Sequence, residues 1–194
     1  MANVSNGGGF RPVRHLNGAP WNGKTRMYYT SDAVALFKGD AVVSDGTADA
    51  TGKYAGVKQA PEGGNLRGVV MGFSDQPYAA FDASDLYRNY KLATEDLYCM
   101  VVDDPDVIFE LEEDNDTSDL TIAEIGLNTD LVVGTGDTAS GKSGMKLDSD
   151  GTTTGAAQLR ILGVSNKEDN ALGTACKYDV LINEHELRAV AGGV

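Results

Sequence analysis

The sequence predicts a mainly β protein, a small β-barrel or sandwich with an extended N-terminal arm and one or two short helices. Short apolar or alternating runs occur in the second half of the chain: YCMVV at 98–102, VIFEL at 107–111, QLRILGV at 158–164 and CKYDVLIN at 176–183. A period of two places alternate residues on one buried face, which is typical of strands. The 24 glycines and few aromatic residues indicate many turns. We therefore expect an arm at 1–25, a β-rich N-terminal part at 26–95 and a β-barrel-like C-terminal part at 96–194.

The charge of the chain is strongly negative and unevenly distributed. The formal net charge is −13, which argues against a general nucleic-acid binder, because such proteins carry a basic surface. The first 31 residues contain no acid and four bases: Arg11, Arg14, Lys24 and Arg26. The chain has 16 basic and 29 acidic residues, so the remainder has 12 and 29, a charge of −17. A basic leading segment on an acidic body indicates an arm that lies on a negatively charged surface.

Residues 1–25 are rich in glycine and polar residues, so the segment cannot build a core of its own. Phe10, Leu16 and Trp21 are spaced along it like anchors. This favours an arm that becomes ordered on a partner, with its rings in pockets and its arginines at the rim. The alternative is that the arm packs on its own domain. For the partner-bound arm, the candidate contact residues are Phe10, Arg11, Arg14, Trp21 and Arg26, and deletion of 1–25 is expected to leave a folded body.

Strands in the first half are predicted by RMYYT at 26–30, VALF at 34–37, DAVV at 40–43 and LRGVVMGF at 66–73, whose glycines suggest a bend or bulge. Residues 84–93 fit either a short helix capped by Ser84 or an irregular crossover. Residues 118–126 predict one short helix, capped by Ser118 and ended by Gly126.

Two cysteines and one cluster of acids are candidates for cross-linking or metal binding. Cys99 and Cys176 lie among apolar neighbours inside predicted strands, which favours buried free thiols over a disulfide. The run DDPDVIFELEEDNDTSD at 103–119 contains nine acids in 17 residues. Its spacing lacks the glycine at the sixth position and the glutamate at the twelfth that a calcium loop requires. We therefore expect a solvated acidic loop, and no metal site, around Asp114, Asp116 and Asp119.

GDTASGKS at 136–143 matches the phosphate-binding pattern G-x-x-x-x-G-K-[ST]. Such a loop must open a helix whose amides hold the phosphates, whereas GMKLDSDGTTTG follows here. We expect a polar hairpin loop, no nucleotide and no other cofactor. His15 and His185 lack metal-ligand spacing, and His185, which has acidic neighbours, is expected to lie at the surface. No residue is assigned a catalytic role, and the chain is expected not to be an enzyme.

Three passages carry a family resemblance: FRPVRHLNGAPWNGKTRMYY at 10–29, DLTIAEIGLNTDLVVGTGDTASGKSGMKLDS at 119–149 and LRILGVSNKEDNALGTACKYDVLINEHEL at 159–187. Together with the acidic segment, they resemble the decoration (cement) proteins that lie outside the capsid shell of tailed bacteriophages. The resemblance covers most of the chain, although it is loose at 45–95. It consists of general sequence similarity rather than a diagnostic motif.

This resemblance implies a β-rich, non-enzymatic virion protein, commonly a homotrimer, that joins neighbouring major capsid subunits on the outer capsid surface. A basic, Gly-rich arm that extends a sheet of the shell is compatible with this role. The alternatives are another virion β protein, such as a head fibre, tail or baseplate component, or a carbohydrate-binding adhesion module. Neither a signal peptide nor a run of about 18 apolar residues is visible, so we expect a soluble protein made in the host cytoplasm, without a membrane partner.

Overall fold

The computed structural model describes residues 3–77, 88–116 and 118–188, and the protein is mainly β. The strands are β1 (Arg11–His15), β2 (Arg26–Thr30), β3 (Leu36–Phe37), β4 (Ala41–Ala48), β5 (Ala55–Gln59), β6 (Gly68–Ser74), β7 (Tyr90–Lys91), β8 (Leu97–Val102), β9 (Val107–Glu112), β10 (Asn128–Thr129), β11 (Leu131–Val132), β12 (Lys146–Leu147), β13 (Leu159–Val164) and β14 (Lys177–Ile182). They form two modules, a closed barrel and an open five-stranded sheet, with the small pairs β3–β7 and β11–β12 beside them.

The barrel contains β2, β5, β4, β6 and β8 in that order around its circumference. Only β2 and β5 run parallel, while the other neighbours in the barrel are antiparallel. Alternate side chains of β8 fill the interior of the barrel, because Leu97, Cys99 and Val101 all point into its core. The thiols of Cys99 and Cys176 are free and buried, which confirms the prediction from the sequence.

The open sheet is antiparallel, with the order β1-β9-β14-β13-β10. In β9, Phe109 and Leu111 enter the main core, where they meet Tyr178 and Val180 of β14. The same core contains residues of barrel strands, among them Val69 of β6. Strand β6 is therefore buried on both faces, and the two modules share a continuous apolar core.

The glycines of β6 accompany an irregular pairing with β8, in agreement with the bend or bulge that the sequence suggested. A register shift interrupts the β6–β8 pairing between Val70 and Gly72. At Gly68, an added Cβ would lie 2.2 Å from the carbonyl oxygen of Val102. A side chain at this position would therefore force the two strands apart.

Gly68→Ala is expected to lower the free energy of unfolding by about 1–3 kcal/mol, because the barrel wall must shift to admit a methyl group. Urea unfolding followed by far-ultraviolet circular dichroism measures the loss. Gly163→Ala in β13 is the matched control, since a Cβ there meets no atom within 4 Å. Equal stability of the two variants would show that the contact at Gly68 does not matter.

Three details differ from the sequence-based expectations. The closed barrel lies within 26–102, whereas the C-terminal part contributes an open sheet; β8, placed in the C-terminal part, completes the barrel. The segment 84–93 lies partly outside the described residues, and its described end contains β7. The predicted helix at 118–126 is one 3₁₀ turn, Ile122–Glu124, capped by Thr121 rather than Ser118. It stops near Gly126, whose φ is +93°.

Candidate functional site

The N-terminal segment forms a hairpin on its own domain. Strand β1 pairs with β9, and the chain then turns and returns along the other side of β1. The return is fixed by hydrogen bonds from His15 N to Ala19 O (2.8 Å) and from Trp21 N to Val13 O (3.2 Å). Both sides of β1 are therefore engaged within the chain. The expectation of an extended arm that adds a strand to a partner's sheet is not met, because the arm is already a strand of this protein's sheet.

The two aromatic anchor candidates also serve the protein's own core. Phe10 is 1% exposed, and its ring meets Phe109 edge-on at 5.9 Å between centroids. Trp21 is half-buried and packs against the same core. The expectation that these rings fill pockets of a partner does not fit Phe10, which is inaccessible, and the alternative that the arm packs on its own domain describes the structure.

The three arginine candidates remain at the surface but have acidic partners within the chain. Arg14 lies 2.7 Å from Asp179, Arg26 lies 2.9 Å from Asp103, and Arg11 lies 3.8 Å from Glu110. Their side chains are 43%, 62% and 64% exposed, respectively. The negative surface under the basic segment is thus the acidic body of the same chain.

Just before β1, the chain crosses the junction between barrel and sheet. Phe10 N donates to Gly39 O (2.9 Å), and Gly8 N donates to Ser143 O (3.2 Å). A Cβ on Gly9 would lie 2.4 Å from Gly39 O and 2.5 Å from the Ser143 side chain. Only glycine fits here, because three backbone segments are in contact.

Beside this junction lies a cleft of about 330 Å³. We call it the lysine cleft; its charged lining consists of Arg11, Lys38, Lys142, Lys167, Lys177, Glu110 and Glu112. Gly7, Gly8, Gly9 and Met71 also contribute to its walls. Five cationic and two acidic groups give a local excess of positive charge on a chain whose net charge is −13.

The two glutamates of the cleft come from alternate positions of β9 and are engaged by neighbours. Glu110 accepts bonds from Lys167 Nζ and Ser165 Oγ, both at 2.7 Å. Glu112 accepts bonds from Ser5 Oγ (2.6 Å) and Lys146 Nζ (3.1 Å). Burial alone would raise the pKa of both carboxyl groups, but these bonds hold each pKa below its usual value. Both groups are therefore ionised and paired at neutral pH.

Three lysines of the cleft have no such partner. Lys38 Nζ donates to the neutral Oδ1 of Asn89 at 3.0 Å, and Lys142 Nζ reaches the carbonyl of Asn6 at 3.5 Å. Within the described parts of the chain, Lys38, Lys142 and Lys177 have no carboxylate at ion-pair distance. The pKa of Asp137 is lowered, first by a hydrogen bond from Ser140 and to a smaller extent by the charge of Lys142.

The segment 136–143 is a hairpin loop, as predicted, and it opens no helix. Asp137 N donates to Lys142 O (2.9 Å), and Gly141 N donates to Asp137 O (2.8 Å). These amides close the loop on itself. Ser143 is 3% exposed, and its Oγ accepts a bond from Met145 N at 2.9 Å.

His185 is 1% exposed, so the expectation of a surface histidine is wrong. Residues 184–186 run beside Leu66, with hydrogen bonds from Leu66 N to Glu184 O and from Glu186 N to Leu66 O. Its Nδ1 accepts a bond from Leu187 N at 3.1 Å. Burial lowers the pKa of His185 to about 4, so the ring is neutral at pH 7.

The acidic run is partly exposed and tied to neighbouring loops. Asp114 and Asp116 both accept a bond from Ser149 Oγ, at 2.8 and 3.1 Å. Glu113, in contrast, is fully buried. Among the residues that the structure describes, no three or more His, Cys, Asp or Glu side chains are grouped so as to hold a metal ion.

Sequence reasoning did not find the lysine cleft. Its lysines lie at 38, 142, 167 and 177, on separate loops and strands, and no local pattern links them. The only local signal was the Gly-Lys-Ser of the phosphate-loop pattern, which supplies Lys142. The fold, not the spacing, brings these side chains together.

No helix in the described ranges has the length and apolar character needed to cross a membrane. Comparison of the chain with protein-family models, curated proteins and solved structures gave no match.

Proposed function

We propose that this chain is a non-enzymatic structural protein of a tailed-phage virion. It decorates the outer surface of the capsid and stabilises the shell by bridging neighbouring major capsid subunits, as a homotrimer. The resemblance of three long passages to decoration proteins supports this role. The structural observation that carries it is the joining of two β modules by one continuous core and by the N-terminal segment. A protein that bridges two subunits needs a rigid connection between its two contact regions. With a hinge there, it would not restrain the movement of one subunit relative to the other.

The proposed contact with the shell is the outer side of the N-terminal hairpin. Leu16 lies at its turn and is 47% exposed, although its backbone is fixed by a hydrogen bond to Asp106 O at 2.8 Å. The exposed heads of Arg11, Arg14 and Arg26 provide polar contacts near it. Repeated on a symmetric lattice, a small contact of this kind is strengthened by multivalency.

Cosedimentation with undecorated capsid shells tests both the role and the surface. The wild-type chain is expected to sediment with heads and not with isolated tails, and Leu16→Asp is expected to bind at least about tenfold more weakly. Leu172→Asp is the matched control, since Leu172 is 48% exposed but lies elsewhere. Binding to tails alone would reject decoration. Equal binding of the two variants would reject the hairpin as the contact. Light scattering on the free protein measures its oligomeric mass and so tests the proposed homotrimer.

The carbohydrate-binding alternative has one observation in its favour, a group of half-exposed tyrosines on the barrel. The ring of Tyr98 lies 5.6 Å from that of Tyr29 and 5.3 Å from that of Tyr54. Sugar binding requires an open ring face, however, and here the rings meet at 59° and 76°. Each ring packs on its neighbour, which favours a structural role for this group.

A further inference from the structure

We propose that the lysine cleft binds a small oxyanion that carries two or more carboxylate or phosphate groups. This proposal does not rest on the proposed capsid role, although Arg11 borders both surfaces. Acids outnumber bases 29 to 16 in the chain, so acidic partners are abundant. Three of the seven lysines that have no carboxylate partner within the described residues, at 38, 142 and 177, nevertheless line this one cleft. A ligand that carries negative charges would supply the partners that the chain does not.

The arrangement of Lys38 and Lys142 adds a second reason. Their backbones form a parallel bridge, held by bonds from Ser143 N to Lys38 O (3.1 Å) and from Lys38 N to Gly141 O (3.3 Å). Like charges on paired neighbouring positions repel each other and destabilise the pairing. A negatively charged ligand bound in the cleft would reduce that repulsion.

The walls of the cleft are built before any ligand arrives. The close contacts of Gly9 with Gly39 and Ser143 leave the backbone little room to move. Glu110 and Glu112 are occupied by Lys167 and Lys146, so they do not neutralise the three open lysines. A preformed site loses less entropy on binding than a flexible one.

Size and charge define the ligand class. A volume of 330 Å³ is near the lower end of the range for small-molecule sites, roughly 300–1,000 Å³. A lining that contains three lysines without a carboxylate partner matches a multivalent anion better than a single carboxylate. A nucleic acid does not fit, because a chain with a net charge of −13 repels an extended polyanion.

Isothermal titration calorimetry on the full chain, at low ionic strength and pH 7, tests the site with citrate and pyrophosphate as probes. We expect a Kd below about 1 mM for at least one probe, and weaker binding as salt is added. Lys38→Ala/Lys142→Ala and, separately, Lys177→Ala are expected to weaken binding at least tenfold. The control is Lys53→Ala/Lys58→Ala, which removes two exposed lysines outside the cleft.

Each outcome decides the proposal. Binding of citrate alone assigns carboxylate ligands, and binding of pyrophosphate alone assigns phosphate ligands. No heat of binding for either probe overturns the site. Equal weakening by the Lys53/Lys58 control also overturns it, because the attraction would then be general. Thermal unfolding checks that each variant is folded, and Lys177→Ala keeps the test valid if the double variant is not.

Discussion

Replacement of Phe10 by alanine is expected to lower the free energy of unfolding by about 3–5 kcal/mol. The ring is 1% exposed and packs edge-on against Phe109, so its removal leaves a cavity in the core that both modules share. Urea unfolding followed by circular dichroism measures the change. Leu16→Ala, six residues along the same hairpin and 47% exposed, is expected to change stability by less than about 0.5 kcal/mol.

Deletion of residues 1–21 extends the same argument. The deletion removes β1, the Phe10 ring and the backbone bonds at the junction of barrel and sheet. We expect the truncated chain to lose cooperative unfolding, in contrast to the expectation from the sequence that a chain without 1–25 stays folded. A truncated protein with a wild-type urea midpoint, or a loss below about 1 kcal/mol for Phe10→Ala, would show that the segment is dispensable.

Two buried groups are expected to give opposite pH dependences of stability. Glu113 accepts only long hydrogen bonds, from Leu120 N at 3.3 Å and Cys176 N at 3.4 Å. Burial raises the pKa of Glu113 to about 7. The folded state therefore holds this proton more tightly than the unfolded state. Its contribution to stability is complete below a pH of about 4.5 and is lost as the pH rises through 7.

His185 acts in the opposite direction. Its pKa is lowered from 6.5 to about 4, so the folded state disfavours the proton that the unfolded state accepts. Its contribution is complete above pH 6.5 and is lost as the pH falls toward 4. Each contribution is about 3 kcal/mol in size, and between pH 4.5 and 6.5 the two slopes oppose each other.

Single variants separate the two contributions. The stability of Glu113→Gln is expected to rise from pH 4.5 to 7, and that of His185→Gln is expected to fall over the same range. Urea unfolding at half-unit pH steps measures both curves. Glu168→Gln, on an exposed loop, is the control for loss of one negative charge and should follow the wild type. Parallel curves for all four proteins would contradict the assignment.

The fold class was predictable because the strands carry local signals. Runs such as the one that forms β8 alternate clearly, and the alternation survives in the structure. Which strands close into a barrel was not predictable, since β2 pairs with both β5 and β8 across long stretches of chain. The local sequence indicates that a segment is a strand, but its neighbours in the sheet depend on pairing with distant parts of the chain.

The candidate residues show the same limit. The sequence identified Phe10 as a ring that fills a pocket, but only the position of Phe109 shows that the pocket is internal. The acids beside His185 suggested the surface, while the contact with Leu66 buries it. The local sequence indicates which kinds of contact a side chain can make, whereas the tertiary structure determines which residues it contacts.

The pairing of the first strand with β9 has a consequence for biosynthesis. Arg11 pairs with Glu110, which follows it by 99 residues. At synthesis rates of about 5–20 residues per second, β9 is synthesised about 5–20 s after β1. The five barrel strands, of which β8 is the last in the chain, are all synthesised before β9. The barrel is thus available to fold first, and it offers the surface on which the nascent N-terminal hairpin and the later strands assemble.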